Sequence, residues 1–224
     1  MKGLKIAIDG PAGAGKSTVA KAVARALDIL YLDTGAMYRA LGWACRQRGA
    51  DPTDGEAVSD LFARIELSVR YVDGGQRVLV DGRDATDEIR TPEVAVLASQ
   101  VSAHGPVRRR MVALQQQIAR EHDLVMDGRD IATHVLPDAP FKFYVTASLQ
   151  ERARRRCEEL RAKGEPADLD RVAQEVADRD RADMTRKESP LVQAPDAMLV
   201  DTTGMTIEQA ADAVLTPIRE AGLA

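Results

Sequence analysis

Cysteine is scarce in this chain: two in 224 residues, Cys45 and Cys157, neither in a C-x-x-C pair. A disulfide framework is excluded as an organising device, and a reduced, cytoplasmic protein is expected. Histidine is scarce too. His104, His122 and His134 have no metal-ligand spacing and no cysteine or carboxylate cluster beside them, so no histidine-based metal site is expected. Aromatic residues make up 4% and the net charge is −4, a poor match to a nucleic-acid surface built from stacking rings and positive charge. No apolar run approaches the roughly 18 residues of a membrane span. A strand begins within a few residues of Met1, so no N-terminal signal is expected. The guanine-reading N-K-x-D is missing. D-x-x-G occurs only as "DTTG" at Asp201 to Gly204, too late in the chain for a GTP switch, and reads as a strand-end turn.

What is present is ordinary globular material. Hydrophobic residues make up 45% and charged residues 29%, enough for a core in one α/β domain with embellishments. "LKIAID" (Leu4 to Asp9), "ILYLD" (Ile29 to Asp33), "LVMD" (Leu124 to Asp127), "FKFYVTA" (Phe141 to Ala147) and "MLVDT" (Met198 to Thr202) are short apolar runs. They alternate with helical patterns at Lys16 to Leu27, Met37 to Arg48, Pro92 to Ala103, Pro106 to His122 and Ile207 to Glu220. That alternation predicts a five-stranded parallel sheet with helices on both faces. Between Pro52 and Gly82 the pattern changes. A helical "EAVSDLFARI" precedes "LSVRYV" and "RVLVDG", which alternate in polarity around "DGGQ", predicting an inserted antiparallel hairpin. Leu149 to Lys187 is a long polar helical region, broken at "KGEPAD", where a mobile elbow with few apolar contacts is expected.

The chemistry begins at "GPAGAGKST", Gly10 to Thr18, a match to the Walker A pattern between a strand and a helix. Gly10, Gly13 and Gly15 let the backbone curl around phosphate, with Pro11, Ala12 and Ala14 between them. The helix N-terminus adds its dipole. Lys16 is placed to reach the β and γ phosphates of a nucleotide, and the Ser17 hydroxyl to ligate Mg²⁺, with Thr18 following. Asp127, closing "LVMD", is a candidate Mg²⁺ partner through water, or simply a strand-end turn residue. The loop names a donor and no acceptor. Arginines from several segments suggest a second polyanion: Arg39, Arg108 to Arg110, Arg129, Arg152, Arg154 to Arg156, Arg179, Arg181 and Arg186. Arg129 follows an apolar strand end, where parallel sheets bind ligands. Arg152, Arg155 and Arg156 have two readings of equal weight, as phosphate ligands or as helix-surface partners of Glu151, Glu158 and Glu159.

In order along the chain stand "GPAGAGKST", "LDTGAMYR", "EIRTPEV", "ASQVSAHGPVR", "DGRDIAT", "PDAPFKFYVTAS", "RDRADMTR" and "SPLVQAPDAMLVDTT". Over nearly its whole length the chain resembles the bacterial cytidylate kinases, P-loop enzymes that move the γ-phosphate of ATP to CMP or dCMP. The resemblance implies one kinase domain over 1–224, an acceptor-binding subdomain near 36–104 that contains the hairpin, and a helical LID near 150–187. It implies that Ser99, Arg108 and Asp130 face the cytosine, and that Arg179 and Asp183 hold the sugar. Arg39, Arg129 and Arg186 would grip the acceptor phosphate, with Thr34 and Tyr38 lining the site. Lys16, Arg129, Arg179 and Arg186 would be catalytic. Its members often carry Gly where this chain has Ala132, and Ser in place of Thr34. A monomer with small-molecule partners is expected, with neither nucleic acid nor membrane. Two other readings of the loop stay open: another small P-loop kinase, acting on UMP, dTMP, AMP or a non-nucleotide acceptor, and a nucleotide-binding switch with no acceptor.

Overall fold

The structure, a computed structural model, describes residues 3–72, 74–162 and 164–222. Its elements run β1 (Lys5–Asp9), α1 (Lys16–Leu27), β2 (Leu30–Asp33), α2 (Thr34–Arg48), α3 (Gly55–Arg64), β3 (Leu67–Val72), β4 (Gly75–Val80) and β5 (Arg83–Asp84). They continue α4 (Pro92–Val101), α5 (Gly105–Glu121), β6 (Leu124–Gly128), β7 (Phe141–Thr146), α6 (Leu149–Ala162), α7 (Leu169–Thr185), β8 (Met198–Asp201) and α8 (Ile207–Glu220). The chain forms two compact units, one of Met1–Leu30 with His122–Ala224, the other Tyr31–Glu121.

The main sheet has the order β2-β6-β1-β7-β8. β1 pairs in parallel with β6 (Ile6 opposite Val125) and with β7 (Ile8 opposite Phe143), and β7 with β8. Successive strand residues point to opposite faces. Ile6, Ala7, Ile8, Leu124, Val125 and Met126 are all fully buried, so both faces of the central strands are covered. α8 begins on a reciprocal capping box between Thr206 and Gln209 and buries Ala210, Ala211, Val214, Leu215 and Ile218, a stripe at helical spacing that packs against α1. α6 and α7 form a hairpin with a small core of its own, Ala153, Cys157, Val172 and Val176, flanked by Leu160, Ala167 and Ala173. The expected elbow is therefore less bare than its composition suggests, since Ala167 packs on that core; Lys163 lies outside the described residues. No helix among the described residues is long and apolar enough to cross a membrane.

In the unit Tyr31–Glu121, α2 starts at Thr34, three residues before the periodicity begins, because the Asp33 carboxylate accepts the Ala36 N–H at 2.8 Å and caps the helix. α2 crosses α4 at Gly42, where a Cβ would stand 2.8 Å from Leu97 Cβ, so only glycine permits that approach. β3 and β4 form the expected hairpin; of its turn "DGGQ", Asp73 lies outside the described residues. "DG" at Asp81 and Gly82 does not extend β4 as its sequence suggests. Both residues have positive φ (51° and 78°), the signature of a tight hairpin turn, and the chain folds back into the short β5.

Candidate active site

The glycine loop follows β1 at the carboxyl edge of the parallel sheet. Gly10 has φ of +147°, and a Cβ there would lie 1.9 Å from the Val145 carbonyl oxygen, so β7 passes too close for any other residue. Gly13 lies against α6, a Cβ there meeting Arg152 Cβ at 3.1 Å. Gly15 is left-handed (φ 84°) and starts α1 with no capping side chain. By contrast α2, α3, α4, α7 and α8 are each capped by a side chain, from Asp33, Asp54, Thr91, Asp168 and Thr206. No capping side chain competes for the first-turn N–H groups of α1, which suits an anion site.

Lys16 is buried, and its Nζ donates to the Pro11 carbonyl at 2.7 Å. Burial, with the Arg129 and Arg179 charges, pulls it down to about 7 against the opposing pull of Asp127 and Asp183. A phosphate arriving there would restore the lysine's charge. The Ser17 hydroxyl donates to Asp127 Oδ2 at 2.9 Å, which puts a hydroxyl and a carboxylate side by side. Hard oxygen donors in that number suit Mg²⁺, which keeps most of its waters and takes one or two protein ligands. Among the described residues no three His, Cys, Asp or Glu side chains cluster as a metal cage.

Beyond β6, Arg129 Nε donates to Asp183 Oδ2 at 2.7 Å, and Arg186 lies 3.6 Å from Asp183 and 3.9 Å from Asp130. Burial disfavours both Arg129 and Asp183 as ions. Their mutual attraction, with Asp127 and Asp180 acting on the arginine and Arg179 and Arg186 on the carboxyl, overcomes it, raising the arginine and holding the carboxyl below the usual range. Lys16, Ser17, Asp127, Arg129, Asp130, Arg179, Asp183 and Arg186 thus belong to one unit, with the charges of Arg129 and Arg179 both acting on Lys16. Thr34, Tyr38, Arg39, Ser99 and Arg108 belong to the other. There Arg39 is tied to Asp33 at 2.7 Å, the buried Arg108 lies over the Tyr38 ring at 5.4 Å, Thr34 is buried at the start of α2, and Ser99 is half-buried on α4.

Three of the ambiguous arginines divide. Arg156 pairs with Glu159 on the helix surface. Arg155 pairs with Glu151 and also donates to the Thr202 carbonyl at 2.7 Å. Arg152 is not a helix-surface partner of the neighbouring glutamates: it is buried against Asp180. Thr202, in "DTTG", donates toward the Ala14 carbonyl at 3.2 Å, so this strand-end turn also touches the glycine loop.

Asp9 was not singled out by its sequence. Its carboxylate accepts the Ile131 N–H at 2.9 Å and the Ala132 N–H at 2.8 Å, tying the end of β1 to the turn that follows Arg129 and Asp130. That turn is a single π-helical turn, Ile131–Val135, closed by Val135 N–H to the Asp130 carbonyl at 3.2 Å. Burial pushes the Asp9 carboxyl up to about 7, although both backbone donors oppose the shift. A signal for it existed: like Asp33, Asp127 and Asp201, it is an aspartate closing an apolar parallel strand.

The family model described as cytidylate kinase matches residues 6–220. The cytidylate kinase of Symbiobacterium thermophilum is 51% identical over 217 residues, covering 96% of both chains. That of Bacillus subtilis is 46% identical over 219 residues, covering 98% of both. Among solved structures, an uncharacterized protein from Eubacterium ventriosum shares the fold, with a TM-score of 0.55 at 15% identity over 98% of this chain and 99% of that one. With the glycine loop, the paired Ser17 and Asp127, and the arginine–aspartate cluster beyond β6 in place, the chain belongs to the cytidylate kinase family.

Proposed function

We propose that the chain transfers the γ-phosphate of ATP to CMP or dCMP, forming the diphosphate and ADP. The observation that carries this reading is the gathering of Lys16, Arg129 and Arg179 beside an uncapped α1 at the carboxyl edge of the sheet, in a chain whose named relatives are cytidylate kinases. One polyanion would use the loop and Lys16. Arg129 after β6, Arg179 on α7 and Arg186 at its end are provision for a second.

The attacking group would be an oxygen of the acceptor phosphate. A phosphate monoester has a second pKa of about 6 and is mostly dianionic at pH 7, so the enzyme needs no general base. What the chain supplies is placement and charge. The loop N–H groups and Lys16 orient the donor. Arg39, Arg129 and Arg186 draw the acceptor phosphate in, and Arg179 with Asp183 fixes the sugar. Thr34, Tyr38, Ser99 and Arg108 line the acceptor side, within the unit that contains the subdomain expected near 36–104. Ser17 directly, and Asp127 through water, would hold Mg²⁺, which when bound neutralises charge on the donor phosphates. The α6–α7 hairpin would act as the LID, excluding water so that ATP is not hydrolysed. Asp130 would accept from the cytosine N4 amino group and face the O4 of uracil unfavourably.

The acidic balance and the few aromatics support small-molecule partners rather than nucleic acid, and we read the chain as a monomer. The deciding experiment is coupled ATP consumption with CMP, dCMP, UMP, dTMP and AMP in turn. Stimulation by CMP and dCMP well above the others is expected. Slow hydrolysis that no acceptor stimulates would overturn the reading.

A further inference from the structure

Two buried side chains near the glycine loop have no role in that scheme. Arg152, on α6, and Asp180, on α7, are each less than a tenth exposed. Asp180 Oδ1 accepts the Ala12 N–H at 3.0 Å. Arg152 Nη1 donates to the Ala12 carbonyl at 2.9 Å and to Asp180 Oδ2, while its Nε donates to the Ala147 carbonyl at 2.9 Å. The two helices of the hairpin thus meet on one residue of the donor loop, holding its N–H from one side and its carbonyl from the other.

Peptide planarity turns this clamp into a direction. Across a trans peptide the carbonyl of one residue and the N–H of the next point opposite ways. The unit between Pro11 and Ala12 is held at both ends, its carbonyl by Lys16 Nζ and its N–H by Asp180. In the next unit Arg152 takes the Ala12 carbonyl, so the Gly13 N–H is turned away from Arg152. One step on, the Ala14 carbonyl lies 3.2 Å from the Thr202 hydroxyl, whose shorter contact, at 3.0 Å, is with the Thr146 carbonyl. A loop whose successive N–H groups converge on phosphate has the carbonyls of the same peptides turned outward. The arrangement has an electrostatic side as well. An unneutralised carboxylate hydrogen-bonded to a phosphate loop would repel the ligand, and Arg152 supplies the compensating charge.

We propose that Arg152 and Asp180 are positioning residues for the donor: they fix the Ala12 peptides so that the loop presents its N–H groups to ATP, and Arg152 itself touches no phosphate. The proposal rests on ATP being the donor and is indifferent to which acceptor is used.

The test is calorimetric titration of Arg152→Ala, Asp180→Asn and the double variant with ATP alone, and with CMP alone, alongside thermal melting. Arg152→Ala strands the Asp180 charge beside the loop, and ATP affinity is expected to fall at least 10-fold. Asp180→Asn keeps an acceptor for the Ala12 N–H without the charge, and a loss below about 5-fold is expected. The double variant is expected to bind ATP better than Arg152→Ala alone, because the repelling charge is gone. CMP affinity is expected to stay within about 2-fold throughout, although Arg179 and Asp183 flank Asp180 on the same helix. If Arg152→Ala and the double variant bind ATP equally poorly, Arg152 acts as a ligand and the proposal fails. It fails also if ATP and CMP affinities fall together, which would mean a displaced α7. Should Arg152→Ala not fold, Arg152→Lys, which keeps the charge but loses the fork, replaces it and is expected to bind ATP 3- to 10-fold more weakly; unchanged ATP affinity in it overturns the proposal. Wild-type chain that binds ATP but shows no CMP-stimulated turnover would count against the acceptor and leave the clamp to be judged on ATP binding alone.

Discussion

Arg129 Nε and Asp183 Oδ2 stand 2.7 Å apart, one side chain following β6 and the other on α7. The arginine proposed to grip the acceptor phosphate is thus held in place by a carboxylate from another element. A charge fixed in this way is what electrostatic preorganisation requires.

Arg129→Ala is therefore expected to lower CMP-dependent turnover by about 100-fold or more while ATP affinity changes less than about 3-fold. Steady-state kinetics with direct ATP titration separates the two. A selective loss of ATP affinity would place Arg129 on the donor instead.

Asp130 is buried, with Arg186 3.9 Å away. Asp130→Ala is expected to reduce the preference for CMP over UMP by about 5- to 150-fold, the equivalent of about 1–3 kcal/mol for a mispaired buried polar group. The measurement is the ratio of kcat/KM for the two nucleotides. An unchanged ratio removes Asp130 from base selection.

Asp9 makes folding stability depend on pH in a particular sense. Its carboxyl rises from 3.8 to about 7 on folding, chiefly through burial. The folded chain then binds more protons than the unfolded one between those values. The contribution of Asp9 is most favourable below about pH 4, is lost as pH climbs to about 7, and is flat above. In full it amounts to about 4 kcal/mol. Asp9→Asn has no such titration, and its urea-unfolding stability is expected to fall less than that of the wild type between pH 5 and pH 7. Parallel profiles for the two chains would contradict this.

Gly10 tolerates no side chain, since the Val145 carbonyl occupies the place of a Cβ. Gly10→Ala is expected to cost about 4 kcal/mol or more, through the clash and the left-handed φ together. Gly3→Ala, whose Cβ would meet nothing within 4 Å, provides the control for positive φ alone. Denaturant midpoints of the pair separate strain from contact.

The parts of the fold that could be read in the sequence are those written locally. α1 and α8 begin and end where their periodicity does. All five parallel strands stand within a residue or two of their apolar runs. The start of α2 was hidden because "DTGA" has the look of a turn, whereas Asp33 uses its side chain as a cap. β5 is two residues long, too short for alternation to show. In the site, the loop and the arginine motifs were legible, because phosphate imposes glycine and arginine at fixed spacings. Asp9 and Asp180 were not, because what they do depends on partners more than 120 and more than 160 positions away in sequence. Arg152 was misleading for a related reason. Glu151 beside it offered a plausible surface partner, while its true partner, Asp180, sits on another helix.

The central strand has a consequence for synthesis. β1 leaves the ribosome well before either of its neighbours, since β6 and β7 both begin beyond residue 120. At about 5–20 residues per second, Ile6 and Ile8 wait on the order of ten seconds for a strand to pair with. For that interval an apolar β segment is tethered and unpaired, and loop-closure entropy must be overcome before any sheet contact compensates for it. The delay is set by topology, from the order in which the strands are made rather than the order in which they lie.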